Sequence, residues 1–222
     1  MKIKAIITGS TGMVGKAVLI ECLESEDVES VLVINRRSIH IRHPKLTEII
    51  HSDLSDTGLI EKDLAGYNAC FFCMGVSAAG LSEDQYHDLT FKTVQKFASA
   101  LKKINPDMIF NYVSGLGTDS TEKGKIMWAR VKGKTENMIL NMGFRDAYMF
   151  RPGIIIPEKG VKSRTAMYNI FYLILRPFFP LLRLLDTVTT SSRLGKAMIN
   201  TVIFPGENKY LENKDINLLS KK

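Results

Sequence analysis

The sequence predicts an α/β fold built on a doubly wound, mostly parallel sheet, with a small helical substrate-side region near the C-terminus. Two observations predict this fold. Short β-branched apolar runs alternate with helical patterns over residues 3–151, which is typical of parallel strands joined by right-handed helical crossovers. Three glycines separate the first strand from the first helix. The 222 residues suffice for one such domain and are few for two, so we expect residues 1–222 to form a single domain.

The first strand and the loop after it form the motif around which the chain is arranged. Residues 3–7 are apolar, and a helical pattern covers residues 16–23. The glycines between them have the spacing G-x-x-G-x-x-G, in the strand–turn–helix context that favours dinucleotide binding. Such glycines permit a tight turn and close approach of a diphosphate, and the helix N-terminus favours an anion. An ordinary strand-to-helix turn is the alternative. The predicted contacts are Thr8, Gly9, Ser10, Thr11, Gly12, Met13, Val14 and Gly15.

The second strand, at residues 31–34, ends in Asn35-Arg36-Arg37. In NAD-binding folds an acidic residue about twenty positions after the glycines binds the ribose 2′-hydroxyl. Asn35 stands at that place, so no carboxylate would repel a 2′-phosphate, and Arg36 or Arg37 can pair with it. The sequence therefore favours NADP(H) over NAD(H). The alternative is that both arginines face solvent at the end of a strand.

Candidate cofactor contacts also follow the third strand, Leu46–Ile50, and the fourth strand, at residues 69–74. These contacts are Asp53 and Leu54 after the third strand and Cys73, Met74 and Gly75 at the end of the fourth. Asp53 also suits the cap of a turn. Cys70 and Cys73 have the spacing C-x-x-C, but residues three apart on a strand point to opposite faces. We therefore expect both cysteines to be structural, and we expect no metal site.

The remaining elements continue the alternation of helix and strand. The predicted elements are a helix that begins after Ser82 and ends near residue 103, a strand at 108–113, a helix at 125–142 and a strand at 147–151. Because the carboxyl ends of parallel strands meet at one edge of a sheet, the residues just after the strands are expected to share one site. These residues are Gly9, Arg36, Asp53, Gly75, Ser114 and Arg151.

Composition and charge point away from several classes of protein. The net charge of +7 would suit a nucleic-acid partner, but the basic residues are scattered. We expect a solvated basic surface and a polyanionic cofactor, and no nucleic-acid partner. The three cysteines indicate a reducing compartment. The first strand begins where a signal peptide would lie, so the sequence predicts a cytoplasmic protein.

At Ser114 and Lys132 the sequence resembles the extended and atypical short-chain dehydrogenase/reductases, a family of NAD(P)-binding Rossmann proteins related to NAD-dependent epimerases and dehydratases. The segment Val131-Lys132-Gly133 with a following glutamate, and the segment Arg151-Pro152-Gly153, are similar to the atypical branch that includes a human tumour-suppressor oxidoreductase. The resemblance implies that Ser114 orients a substrate oxygen and that Lys132 holds the nicotinamide ribose. The further cofactor contacts that it implies are Arg151, Pro152 and Gly153.

Trp128 departs from the family pattern, because a catalytic tyrosine is expected four residues before Lys132. An indole N–H donates a hydrogen bond but does not titrate in the accessible range, so general acid catalysis by this residue is lost. Three interpretations follow. In the first, another acid, such as Tyr86, His87 or Tyr112, replaces the tyrosine. In the second, an apolar quinone-like or carbonyl substrate takes its proton from water. In the third, the protein binds NADPH without turnover, as a sensor or scaffold. Epimerase or dehydratase chemistry on a sugar nucleotide is a further alternative.

Residues 154–190 are predicted to form a helical insertion on the substrate side. Two short apolar helices are expected there, at 166–175 and 178–185, interrupted by Pro177 and Pro180. The segment suits the wall of a pocket for a small apolar substrate, a dimer face or, least favoured, peripheral membrane contact through residues 166–185. We expect a monomer or a homodimer. A helix at 193–203 and strand pieces at 209–211 and 216–219 complete the prediction.

Overall fold

A computed structural model describes residues 2–161, 177 and 179–222. The strands of this described part are β1 Ile3–Thr8, β2 Val28–Asn35, β3 Leu46–Ile50, β4 Ala69–Phe72, β5 Ile109–Val113, β6 Asp146–Arg151, β7 Ile154–Ile156, β8 Val188–Thr190 and β9 Tyr210–Glu212. Its α-helices are α1 Met13–Glu24, α2 Glu83–His87, α3 Thr93–Ile104, α4 Met127–Leu140, α5 Phe179–Leu182, α6 Ser191–Ile203 and α7 Asn213–Leu219. A 3₁₀ segment spans Gly58–Leu64, and a π-helical turn spans Asp88–Lys92.

Seven strands form one parallel sheet in the order β3-β2-β1-β4-β5-β6-β9. The chain builds outward from β1 in one direction and then from β4 in the other, so the strand order reverses between these two strands. The predicted doubly wound α/β fold is therefore confirmed. In such sheets ligands bind outside the carboxyl ends of the strands at this point of reversal.

Alternating side chains of the sheet pack into two hydrophobic cores, one on each face. Helices α1, α6 and α7 cover one face, and α3, α4 and the 3₁₀ segment cover the other. Ile6 and Ile7 illustrate the alternation, because neighbours on β1 point into different cores. Cys70 and Cys73 do the same, as the spacing predicted. The central strands β1, β4 and β5 are buried on both faces, which explains why they are largely apolar, whereas the edge strands β3 and β9 are partly exposed.

Three predicted elements differ from the structure. Residues 216–219 are part of α7 and not a strand, because Ile216 and Leu219 lie one helical turn apart against the core. The helix predicted from Ser82 to residue 103 is interrupted by the π-helical turn. The segment 154–190, predicted to be helical, begins and ends in strands β7 and β8, which pair in parallel.

The apolar helix expected at residues 166–175 lies outside the described residues, and of the one expected at 178–185 only α5 is helical. Along the part of the chain that the structure describes, no helix combines the length and the apolar composition that crossing a bilayer requires.

Candidate cofactor cleft and active site

A cleft of about 300 Å³ lies at the carboxyl edge of the sheet, where the strand order reverses. Segments that follow β1, β2, β3 and β4 line it, together with the start of α3. The predicted contacts that line it are Gly9, Thr11, Gly12, Asn35, Arg36, Asp53, Leu54, Cys73, Met74 and Gly75. The expectation that residues after different strands would share one site is therefore met for the first four strands.

The three glycines of the loop after β1 differ in what surrounds them. Gly9 has φ +72°, and a Cβ there would meet the backbone of Cys73 and Met74 at 2.7–2.8 Å. A Cβ on Gly15 would collide with the carbonyl of Gly9. Both glycines are thus required by the fold itself.

Gly12 has no comparable structural requirement. A Cβ there would come no closer than 3.4 Å to the Gly9 oxygen, and its φ of −88° suits any residue. Gly12 is also the N-cap of α1, it provides no side-chain cap, and it lines the cleft. A glycine that the fold does not need, at an uncapped helix N-terminus, leaves room for a phosphate group close to the backbone. The loop therefore fits a dinucleotide.

At the end of β2, the side chain of Asn35 forms hydrogen bonds with other side chains of the protein. Asn35 is buried; its Oδ1 accepts from Ser10 Oγ at 2.9 Å, and its Nδ2 donates to Glu48 Oε1 at 2.9 Å. Arg36 is exposed and lines the cleft, whereas Arg37 is exposed outside the lining. Asn35 therefore fastens the glycine loop to the sheet, and Arg36 offers a cation at the rim of the cleft.

Asp53 lies exposed along the cleft and also supports a turn. Its Oδ1 accepts from the Ser55 amide at 2.8 Å. Hydrogen bonds from the Ser55 side chain and amide hold the pKa of the carboxyl below its usual value. Both readings of Asp53 given by the sequence are thus compatible with the structure.

Six residues that line the cleft were not predicted from the sequence. They are Ile34, His51, Ser52, Val76, Leu89 and Thr93. Leu89 belongs to the π-helical turn between α2 and α3, where one extra residue per turn changes the direction of the side chains. A regular helical pattern gives no signal for such a turn. The other residues are neighbours of predicted contacts, so a wider window around each strand end would have included most of them.

Lys132 and Trp128 lie one turn apart on α4, above the loop that follows β5. The ammonium group of Lys132 donates to the backbone carbonyl of Ser114. Burial lowers the pKa of Lys132 to about 8, although Glu136 opposes this effect. The indole of Trp128 lies over the same loop, with Cη2 3.6 Å from where a Cβ on Gly117 would stand. Gly133 lets this loop pack onto the helix, because a Cβ there would overlap the carbonyl of Asp119.

Ser114 and Arg151 join in one buried network. Ser114 Oγ donates to Glu136 Oε1 at 2.5 Å, and the guanidinium of Arg151 pairs with both oxygens of that carboxylate. Glu136 is fully buried. Arg151 also donates to Ser120 Oγ and stacks 4.5 Å from the ring of Tyr210. The Ser114 hydroxyl thus has two acceptors within the protein, Glu136 Oε1 and, at 3.2 Å, the Phe150 carbonyl. Neither Ser114 nor Arg151 lines the cleft.

Other predicted contacts also lie outside the cleft lining. They are Thr8, Ser10, Met13, Val14, Gly15, Arg37, Lys132, Pro152 and Gly153. Pro152 and Gly153 hold loops together: the Pro152 carbonyl accepts from the Leu116 amide at 3.0 Å, and the Gly153 amide donates to Asn213 Oδ1 at 3.1 Å.

The three alternative acids lie away from the cleft. Tyr86 and Tyr112 are buried, and burial raises the pKa of both phenols. The ring of His87 stacks on Phe91 at 4.8 Å between centroids. None of the three therefore lines the cleft, and the raised pKa values make the two phenols weaker acids.

A parallel sheet with this strand order, a glycine loop at the N-terminus of α1 and a cleft at the reversal point together define a Rossmann-type dinucleotide-binding protein. The chain matches the model of the NAD dependent epimerase/dehydratase family over residues 5–139 and belongs to that family. The family binds an NAD(P) nucleotide cofactor.

Relatives among known proteins agree with this assignment. Protein HTATIP2 of Rattus norvegicus is 26% identical over 224 residues, which cover 97% of this chain and 88% of that protein. Protein FMP52-1, mitochondrial, of Scheffersomyces stipitis is 27% identical over 157 residues, or 70% of this chain and 68% of that protein. These similarities confirm the resemblance to atypical short-chain dehydrogenase/reductases.

Solved structures share the fold at low sequence identity. The enzyme WbmH of Bordetella bronchiseptica in complex with NAD+ has a TM-score of 0.66 at 18% identity, over 96% of this chain and 75% of that one. The UDP-N-acetylglucosamine 4-epimerase of Bacillus cereus has a TM-score of 0.68 at 12% identity, over 95% and 75%.

The expected cytoplasmic location is wrong by this comparison. Several relatives of the FMP52 type, from Scheffersomyces stipitis, Neosartorya fischeri and Debaryomyces hansenii, are named as mitochondrial proteins. These names point away from a purely cytoplasmic location. The expectation rested on cysteine usage and on the position of the first strand, and neither feature distinguishes one reducing compartment from another.

Proposed function

We propose that the protein is an NADP(H)-dependent oxidoreductase that acts on an apolar carbonyl or quinone-like substrate. The observation that carries the choice of cofactor is the end of β2. Asn35 is buried and its side chain is hydrogen-bonded at both ends, while Arg36 lines the cleft. A cation directly after the place of the usual carboxylate favours a 2′-phosphate through a charge-assisted hydrogen bond.

The residues that would hold the cofactor are those that line the cleft together with Arg37 and Lys132, which lie outside its lining. Gly12 and the N-terminus of α1 receive the diphosphate, Arg36 and Arg37 the 2′-phosphate, and Lys132 the nicotinamide ribose. When bound, the nicotinamide supplies or accepts a hydride. Asp53 and Leu54 line the same cleft and would contact the adenosine.

An apolar substrate is supported by the side chains near Trp128. Leu116, Ile126 and Ile154 are all more than half exposed, and they follow β5, precede Trp128 and follow β6, respectively. Leu116 lies close to Gly153, with its Cδ2 3.1 Å from where a Cβ would stand there. Apolar side chains exposed at the carboxyl edge of such a sheet favour an apolar ligand. A quinone-like substrate needs no positioned acid, because it can take its proton from water.

A second candidate is a cofactor-binding regulatory protein without turnover. Trp128 stands at the place of the acid, and the hydroxyl proton of Ser114 is given to Glu136. Two of the three groups that the family uses on a carbonyl are therefore not available for it. This arrangement favours a sensor or scaffold over an alcohol or aldehyde enzyme.

Calorimetric titration with NADP+ and NAD+ tests the choice of cofactor. We expect the parent to bind NADP+ more tightly, and the double variant Arg36→Ala/Arg37→Ala to lose about 10- to 100-fold in NADP+ affinity, the equivalent of a charge-assisted contact. The affinity for NAD+ should stay nearly unchanged. Arg145→Ala removes an exposed arginine at the other edge of the sheet and is the matched control. Equal affinity of the parent for the two cofactors contradicts the proposal.

A substrate panel separates the enzyme from the regulator. Parent protein and NADPH are incubated with quinones, flavins and aldehydes while the absorbance of the nicotinamide is followed. We expect oxidation of NADPH with quinones and little with aldehydes. No oxidation above background with any member of the panel favours the regulatory protein.

A further inference from the structure

The turn that carries Arg36 and Arg37 is fastened by one carboxylate, that of Glu48 on β3. Its Oε2 accepts from Ser38 Oγ at 2.6 Å, and its Oε1 accepts from the Ile39 amide at 3.0 Å. Oε1 also accepts from Asn35 Nδ2 at 2.9 Å. Glu48 therefore holds the chain on both sides of the two arginines, at residue 35 and at residues 38–39.

The same contacts reach the glycine loop. Ser10 Oγ donates to Asn35 Oδ1, and Asn35 passes the connection to Glu48. Three segments that follow or belong to different strands are thus joined by side-chain hydrogen bonds. Partial burial alone would raise the pKa of Glu48, but the hydrogen bonds from Ser38, Asn35 and the Ile39 amide lower it below its usual value. The carboxylate is therefore ionised at neutral pH.

We propose that Glu48 is a positioning residue that sets the preference for a 2′-phosphate by holding the Arg36–Arg37 turn in place. This inference rests on the proposed role of the two arginines. Both arginine side chains are exposed and rich in rotamers. Because the backbone is fixed at residues 35 and 39, less entropy is lost when the two arginine side chains close on a phosphate, which is the general advantage of preorganisation.

Glu48 carries a negative charge near the place where the phosphate would bind. Repulsion and positioning therefore predict changes of opposite sign in NADP+ affinity when this charge is removed. If the charge acted by repulsion alone, its removal would tighten the binding of NADP+. If the carboxylate acts by holding the turn, its removal weakens the binding of NADP+. The two roles predict opposite changes for Glu48→Gln, which keeps the size of the side chain but removes the charge that strengthens its hydrogen bonds to Ser38, Asn35 and the Ile39 amide.

The experiment is calorimetric titration of Glu48→Gln with NADP+ and NAD+. We expect the affinity for NADP+ to fall about 10-fold, one hydrogen bond to a charged group, and that for NAD+ to change less than about twofold. Glu26→Gln makes the same change of charge at an exposed site before β2 and is the matched control. Ser38→Ala removes a single donor to Glu48 and should give a smaller loss in the same direction.

Hydrogen exchange of the free protein gives a second readout that does not depend on the cofactor. The Ile39 amide donates to Glu48, so its exchange should be faster in Glu48→Gln and unchanged in Glu26→Gln. Unchanged or tighter NADP+ binding in Glu48→Gln overturns the inference. If the arginine double variant keeps the preference, the proposed choice of cofactor fails and this inference fails with it. If the double variant loses the preference and Glu48→Gln keeps it, only this inference fails.

Discussion

At the scale of single residues, the glycine loop separates what the fold needs from what the cofactor needs. Gly12→Leu adds a side chain where a Cβ has room, so we expect a folded protein that loses at most about 1 kcal/mol, the cost of an apolar residue at the N-cap of α1. The same side chain fills the space for the diphosphate, so binding of NADP+ and NAD+ should be lost. Gly15→Ala should instead destabilise the protein, because its Cβ meets the carbonyl of Gly9.

Thermal unfolding and calorimetry of both variants check this prediction. The expected pattern is a stable variant without binding at position 12 and a less stable variant at position 15. Unimpaired cofactor binding by Gly12→Leu would mean that the diphosphate does not pass this residue.

Trp128 offers a gain-of-function test. Trp128→Tyr places a phenol one turn before Lys132, whose positive charge lowers the pKa of the phenol. A positioned acid contributes roughly 10²–10⁴-fold. Ser114 donates to Glu136 and cannot donate to a carbonyl oxygen at the same time, so we expect a gain in aldehyde reduction of about 10²-fold, at the low end of that range.

The control for this gain is Trp128→Phe, which keeps an aromatic ring without an acid. Steady-state rates with NADPH and a simple aldehyde are compared for the two variants. If Trp128→Tyr binds NADPH like the parent but is no faster than Trp128→Phe, the site is not built for carbonyls. The regulatory interpretation then becomes the better one.

At the scale of elements, the buried network of Glu136 ties α4 to β5 and β6. Removing one partner of a buried ion pair leaves an uncompensated charge and costs about 3–5 kcal/mol. We expect Glu136→Ala to lose free energy of unfolding in that range, because Arg151 loses its carboxylate partner, although Ser114 keeps the Phe150 carbonyl as an acceptor. Urea denaturation measures the loss.

The same helix provides the matched control. Arg130 of α4 pairs with Glu83 of α2 at 2.6 Å, at a site where Glu83 is about half exposed. Such exposed pairs contribute at most about 1 kcal/mol, so Glu83→Ala should cost far less than Glu136→Ala. Similar losses in the two variants would show that the buried network contributes no more to the free energy of unfolding than an exposed ion pair does.

Some features of the helices and strands can be predicted from the sequence alone, and others cannot. The bounds of β3 and the cap of α6 at Thr190 follow from local patterns, because a short apolar run and a hydroxyl before a helix have local causes. The partner of Ser114 does not, since Glu136 is 22 residues away and only the packing of α4 on the sheet brings them together. The π-helical turn that carries Leu89 likewise depends on tertiary contacts.

At the scale of the whole molecule, the sheet divides the site between two halves of the chain. The cleft is formed by the segments after β1 to β4 and the helical region before β5, whereas Lys132, Trp128 and Ser114 lie beyond β5. The first half contains the local glycine motif, so its role in cofactor binding can be predicted from the sequence. The second half depends on how α4 packs, and there the predicted roles remain predictions.

The free energy of unfolding at alkaline pH tests whether burial shifts the pKa values of Lys132 and of the cysteine thiols in the folded protein. Burial lowers the pKa of Lys132 from 10.5 to about 8. Between these two values the unfolded chain binds a proton at this lysine that the folded chain has lost, so stability rises with pH. Burial acts on Cys22, Cys70 and Cys73 in the opposite sense, because it raises the pKa of each thiol above its ordinary value of 9.0.

The unfolded chain therefore loses three thiol protons around pH 9 that the folded chain keeps, and this makes stability fall with pH. Three thiols outweigh one amine, so we expect the free energy of unfolding to rise up to about pH 8.5 and to decline above it. Each proton changes the slope by about 1.4 kcal/mol per pH unit. Cys22→Ala should flatten the decline by about one proton, and Lys132→Met should remove the rise. Urea denaturation between pH 7 and 10.5 under reducing conditions measures both slopes. If Cys22→Ala leaves the decline as steep as in the parent, the thiol at position 22 does not stay protonated in the folded core.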